Sequence, residues 1–148
     1  MKLEGNQKLQ APRQDIWDML MDPEIIAGVI PGCEEFRVEG NGVFRSKLTI
    51  GIAAIKGTYS AQIDLVDKNP PESFKLKMVG TGARGFLNGE VIIRLEDQGE
   101  ETVLHYAAEN HVGGQIAAIG QRIISPAAKM IVKQGFRSLE KQVTGRDT

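Results

Sequence analysis

Few residues in this chain are equipped for chemistry. His105, Glu109 and His111 lie at alternate positions of TVLHYAAENHV, and two imidazoles with a carboxylate make a zinc-ligand set. Successive side chains of a strand take opposite faces, however. Leu104, Tyr106, Ala108 and Val112 then form the apolar face, and both histidines point to solvent. The same parity places Asn110 among the apolar residues. Its amide needs a partner there: water, a neighbouring backbone group or a ligand carbonyl. Cys33 is the only cysteine and follows Pro31-Gly32 in an expected loop with no adjacent base, so it reads as an idle or structural thiol. Glu34-Glu35 and Glu100-Glu101 fall at expected turns or strand ends and read as solvated pairs. No Ser-His-Asp order stands out. Trp17 reads as a core or rim residue, and Met78 and Met130 as pliable lining or as core.

GTGARG, residues 80 to 85, has the G-x-G-x-x-G lettering of a dinucleotide loop. That loop must open a helix whose N-terminal amides hold the pyrophosphate. Here FLNGEVIIRLED follows, which has strand character. The glycines read instead as a hairpin or bulged turn with positive φ, or as a thinning of the sheet. With Gly89, Gly80, Gly82 and Gly85 would let the long helix or a ligand come close.

The elements that position these residues follow from periodicity. Residues 3–10 alternate weakly and make a first strand. APRQDIWDML and DPEIIAGVI make two short helices, with Pro12 in the first turn of one and Asp22 capping the other. VFRSKLTIGI, GTYSAQIDLV and SFKLKM then alternate with a period of two, as do LNGEVIIRLED and TVLHYAAEN. Phe44, Ser46, Leu48, Ile50 and Ile52 share one face; Tyr59, Ala61, Ile63 and Leu65 share another; Phe74, Leu76 and Met78 a third. From Gln115 to Val143 the period becomes helical, with Ile116, Ile119, Ile123, Ala127, Met130, Ile131 and Leu139 on one stripe, widened by Ile124, Ala128, Val132 and Phe136, and a kink or short break expected at Pro126. The fold class is α+β: a curved antiparallel sheet of six to seven strands wrapped around a long C-terminal helix, with a cavity between them.

The chain has 148 residues, which suits one domain, read as 1–143 with a short tail at 144–148. Net charge is −1 with Lys and Arg scattered along the chain, so no nucleic-acid footprint emerges, although a local patch would attract anionic lipid weakly. A lone cysteine and the lack of an apolar leader in MKLEGNQKLQAP fit a reducing cytoplasm. The longest apolar stretch is interrupted by Arg122 and Lys129 and is not a membrane span.

IPGCE (30–34), IKGTY (55–59), GFLNG (85–89) and VGGQIAAIGQR (112–122) together resemble the CoxG family, named for the G subunit of carbon monoxide dehydrogenase, over roughly Met1 to Val143. That family belongs to the START/Bet v 1-like helix-grip superfamily. The resemblance implies a non-catalytic accessory protein. It would recruit or support a carbon monoxide dehydrogenase-type molybdenum hydroxylase at the inner face of the cytoplasmic membrane, where electrons enter the quinone pool. Many relatives continue into a membrane-associating tail, whereas this chain stops near its last helix.

The leading function is therefore binding of an apolar ligand (a quinone, fatty acid or similar lipid) with no covalent cofactor and no metal. Leu48, Ile50, Tyr59, Ile63, Leu76, Met78, Tyr106, Asn110, Ile123 and Met130 are the expected cavity lining, acting by contact and orientation. Two alternatives stand beside it. One is a polyketide cyclase or dehydratase-like enzyme, which needs an acid or base inside the cavity. The other is a protein-interaction adaptor with a filled core.

Overall fold

The structure is a computed structural model and describes residues 1–145. Seven strands form one sheet: β1 (Lys2–Leu9), β2 (Cys33–Gly40), β3 (Val43–Ile50), β4 (Gly57–Asn69), β5 (Ser73–Gly82), β6 (Gly85–Gln98) and β7 (Glu101–Gly114). Their spatial order is β1-β7-β6-β5-β4-β3-β2, so β5 is central, and every pair is antiparallel. The chain runs from β2 through β7 as successive hairpins and returns β1 to the far edge. Register carries the parity forward. Ile63 faces Met78, Met78 faces Gly89, and Gly89 faces Asn110, all on the inner side.

Two short helices, α1 (Arg13–Leu20) and α2 (Pro23–Val29), follow β1, and α3 (Gln121–Gly145) closes the fold. Asp22 caps α2 by accepting from the Glu24 amide at 3.0 Å, with Pro23 at the first turn where no amide is needed. Ile16, Trp17, Met19 and Leu20 of α1 are buried against Phe74, Ile93, Leu95 and Leu104 of the sheet and Leu139 and Val143 of α3. Trp17 meets Phe74 edge to face at 5.6 Å, which settles it in the core. The Thr102 hydroxyl, fully buried, donates to the Ala11 carbonyl at 2.7 Å and ties β7 to the entry of α1. This packed end holds the fold. Each fully buried Leu or Ile here contributes about 1.5–3 kcal/mol.

Three local expectations change. The helical stretch breaks at Gly120 (φ +91°), between a 3-10 turn at Gln115–Ile119 and α3, while α3 runs unbroken through Pro126. Pro126 lies in the second turn of α3. The carbonyl it crowds, that of Arg122, sits at the helix start, where the chain is free to tilt. Cys33 opens β2 and is not in a loop, while the Glu34-Glu35 pair follows it at that strand end, as expected. As an edge strand, β2 pairs only with β3 and is exposed on both faces, so CEEFRVEG carries little alternation to read. Finally, α3 extends to Gly145, and residues 146–148 of the expected tail lie outside the described chain.

Candidate functional site

The inner face of the sheet is filled at one end and open at the other. Beyond the packed end, Leu48, Ile50, Tyr59, Met78, Leu87 and Val112 point inward yet stay half-buried, while Leu76 and Val91 pack against the core cluster. Gly80 marks the middle of this region, on the central strand between Ala61 and Leu87. A Cβ built there would meet only the Leu87 carbonyl oxygen, at 4.0 Å. Inward positions of a central strand are normally close-packed. Space for a side chain is therefore left over Gly80, a hollow in the inner face of the sheet. Ile124 and Ala127 of α3 and Ile116 of the 3-10 turn are buried, separate from the main core cluster.

Other glycines are occupied by close neighbours. A Cβ at Gly82 would come within 2.8 Å of the Tyr59 ring, and one at Gly89 would overlap Asn110 Oδ1. GTGARG is thus a tight hairpin: Gly82 pairs with Gly85 across Ala83-Arg84, and β6 follows with no helix. The hairpin reading stands; the thinning of the sheet for a helix or ligand holds only at Gly80, because Tyr59, the Gly113 carbonyl and Asn110 take the space at Gly82, Gly85 and Gly89. Gly85 (φ +156°) sits against the Gly113 carbonyl, where any side chain would collide.

Sequence-expected residues divide as follows. Ile63 is buried, Leu76 packs against the core cluster, and Leu48, Ile50, Tyr59 and Met78 share the inner face with the hollow. Tyr59 donates its hydroxyl to the Ile55 carbonyl at 2.6 Å, holding the Ala53–Ile55 turn over this end. Burial raises the Tyr59 pKa above its ordinary 10.0, with the Arg84 charge opposing. Asn110 is 8% exposed and exchanges backbone hydrogen bonds with Met1. Its side-chain amide lies over Gly89 and takes no protein partner among the described residues. It borders a recess of about 200 Å³ between the end of β7 and the first turn of α3, lined also by Val112, Ala117, Gln121 and Ile124. Tyr106 lies further along, stacked at 4.9 Å on Phe136. It lines a half-open groove of about 630 Å³ between β1 and α3. Ile123 and Met130 are corrected: each is 51% exposed and stands away from the hollow. The stripe read from sequence was too wide. The narrower stripe of Ile124, Ala127, Leu139 and Val143 takes the buried side, which turns its neighbours outward.

The remaining candidates are accounted for outside the hollow. His105 and His111 lie on the outer face, as parity required, and His105 Nε2 meets Glu96 Oε1 at 2.8 Å. That hydrogen bond is the main cause of a lowered Glu96 pKa. Among the described residues no group of three or more His, Cys, Asp or Glu is arranged to hold a metal. Cys33 Sγ lies 3.3 Å from Ser46 Oγ, and Glu34 accepts from Thr49 at 2.8 Å. The buried polar residues are Ser46, Thr102 and Asn110, and none is an acid or base near neutral pH. Leu87 and Val112 were missed as lining, although their parity with Gly89 and Asn110 placed them.

The model of the CoxG family, the G subunit of carbon monoxide dehydrogenase, matches residues 5–144. A crystal structure of a conserved protein from Geobacillus kaustophilus superposes with a TM-score of 0.93 at 36% identity, over 97% of this chain and 95% of that one. A START superfamily protein from Mycobacterium smegmatis gives a TM-score of 0.76 at 10% identity, over 97% of both chains. A Thermus thermophilus protein gives 0.74 at 13%, over the whole of both. The last two establish likeness of fold: this is the START-like helix-grip. No curated protein matches the chain.

Proposed function

Because the chain belongs to the CoxG family of carbon monoxide dehydrogenase, we propose that it is a non-catalytic accessory domain that carries an apolar ligand. It would do so in the service of a molybdenum hydroxylase of the carbon monoxide dehydrogenase type. The observation that carries this reading is the open space over Gly80 at the centre of the sheet. Half-buried Leu48, Met78 and Leu87 lie on the same face near it and would stay wet without a ligand. An isoprenoid or acyl tail filling it would gain about 0.8 kcal/mol per methylene removed from water. The Asn110 amide, unpartnered and nearly buried, is placed to hydrogen-bond a carbonyl at the β7 end of the same face. A quinone or a fatty acid supplies both parts.

The inward polar groups support binding over catalysis. Thr102 is spent on Ala11, Ser46 is engaged with Cys33 and Tyr59 donates to Ile55, which leaves the Asn110 amide and the Tyr106 hydroxyl and no carboxylate, imidazole or amine among these groups. Native mass spectrometry of gently purified protein, with organic extraction, tests the reading. A co-purifying quinone or lipid is the expected result. A bare mass that stays bare after added quinones and fatty acids would shift the reading to an adaptor, to be pursued by pull-down of a hydroxylase.

A further inference from the structure

The recess beside Asn110 has hydrogen-bond donors on two sides and no carboxylate among its lining residues. On one side α3 begins. Gly120 precedes it and has no side chain with which to cap it. The Gly120 carbonyl accepts from the Ile123 and Ile124 amides at 3.2 and 3.1 Å, but the Gln121 and Arg122 amides take no acceptor among the described residues. The first amides of a helix have no partner within it, and in α3, with 25 residues, they form the positive end of a long dipole. On the other side stands Asn110, 8% exposed, whose side-chain amide is likewise without a partner among the described residues. Its Oδ1 lies over Gly89, which turns Nδ2 toward the recess. No side-chain polar atom among the described residues is sealed in without a partner, so this amide opens into the recess.

Unpaired donors meeting from a helix start and an apolar strand face suit a ligand group that accepts hydrogen bonds and carries negative charge. The inner face shows what that group is attached to. Val112 lines the recess and faces Leu87 across the sheet; Leu87 faces Gly80, and Gly80 faces Ala61. From Val112 to Gly80 is two strand spacings, about 10 Å, a medium-chain acyl length. We infer that the recess is the headgroup site for a carboxylate and that the ligand is an acyl-chain acid. Its carboxylate accepts from Asn110 Nδ2 and from the Gln121 and Arg122 amides, and its tail runs over Val112 and Leu87 to Gly80. The inference rests on the ligand-carrying reading and narrows it. A neutral quinone follows the same row and reaches Asn110, but it brings no charge to the helix start. An inorganic anion would satisfy the donors and leave Val112 and Leu87 uncovered.

The test is displacement of a fluorescent fatty acid from the full chain by decanoic acid, decanol and a short-chain quinone, at a pH where the acid is ionised. The acid is expected to bind about tenfold tighter than the alcohol of the same chain, because only the acid makes charge-assisted hydrogen bonds at the helix start. Gln121→Pro removes one donor and suits the first helical position, where no intrahelical bond is lost. It should cost the acid about tenfold and leave the alcohol unchanged. Gln121→Ala keeps the amide and should bind both as wild type. Asn110→Leu should erase the preference for the acid. Circular dichroism checks that each variant is folded, and Gln121→Pro, at an exposed position, carries the test should Asn110→Leu fail to fold. Equal affinity for acid and alcohol overturns the inference and leaves the ligand-carrying reading standing, as does a Gln121→Pro chain that binds the acid undiminished or a quinone that outcompetes the acid. A probe that does not bind folded protein at all overturns both.

Discussion

Gly80 offers a substitution with an unusual sign. Replacing a glycine in a central strand usually forces a clash, but here a Cβ meets nothing closer than the Leu87 carbonyl oxygen at 4.0 Å. The backbone at Gly80 is not in the left-handed region, so a side chain adds no strain. Gly80→Val should gain about 0.4–1 kcal/mol through the unfolded chain alone. At about 2–4 °C per kcal/mol for a chain of this size, the melting temperature should rise by a few degrees. Gly80→Phe goes further and projects a ring into the hollow. If it displaces three or four methylenes of a bound tail at about 0.8 kcal/mol each, ligand affinity falls by roughly 3 kcal/mol, or about a hundredfold. Thermal unfolding by circular dichroism and displacement of a fluorescent fatty acid read the two quantities separately. A G80F protein that is folded and binds with wild-type affinity would refute the hollow as the site. A G80V protein melting several degrees lower would show that the space is already filled.

Other substitutions bear on the same geometry. Gly89→Ala places a methyl where Asn110 Oδ1 lies, so the amide must move; a loss of about 1–3 kcal/mol is expected in denaturant unfolding, and unchanged stability would contradict the placement of Asn110. Of the two tyrosines, Tyr59 should ionise above 10.0 in an ultraviolet titration because it is buried. The fold then favours the neutral phenol and loses stability as pH rises past 10. Tyr59→Phe should abolish the late step and release the Ile55 carbonyl, costing about 1 kcal/mol. Glu96 should titrate below its ordinary 4.5, because His105 hydrogen-bonds its carboxylate. Its contribution is present above the unfolded value and fades as pH falls through the folded one. His105→Gln should move the Glu96 midpoint back up, as followed by carboxyl NMR.

Much of the fold was legible because its signals are local. Strict alternation in VFRSKLTI, GTYSAQIDLV and SFKLKM assigned inner and outer faces that the register preserves from Phe44 to Met78. Placing His105 and His111 outside and Asn110 inside needed only that parity. Where partners decide, the sequence was mute. β2 has one neighbouring strand and no buried face, so nothing constrained its pattern. The break at Gly120 in place of Pro126 depends on how Ile116 and Ile124 seat over the sheet. The inward arc of α3 is narrower than its apolar residues suggest, because the hollow beneath it leaves less to pack against. Ile123 and Met130 were drawn into the lining for that reason.

The central claim is that an apolar ligand occupies the hollow over Gly80. Methyl-labelled protein titrated with a short-chain quinone, followed by NMR, tests it most directly. Met78, Leu48 and Leu87 should shift and saturate together, while Leu9, Leu104 and Leu139 of the packed core stay still. Shifts confined to Ile123 and Met130 on the outer face of α3, or none at all up to the solubility limit, would contradict it.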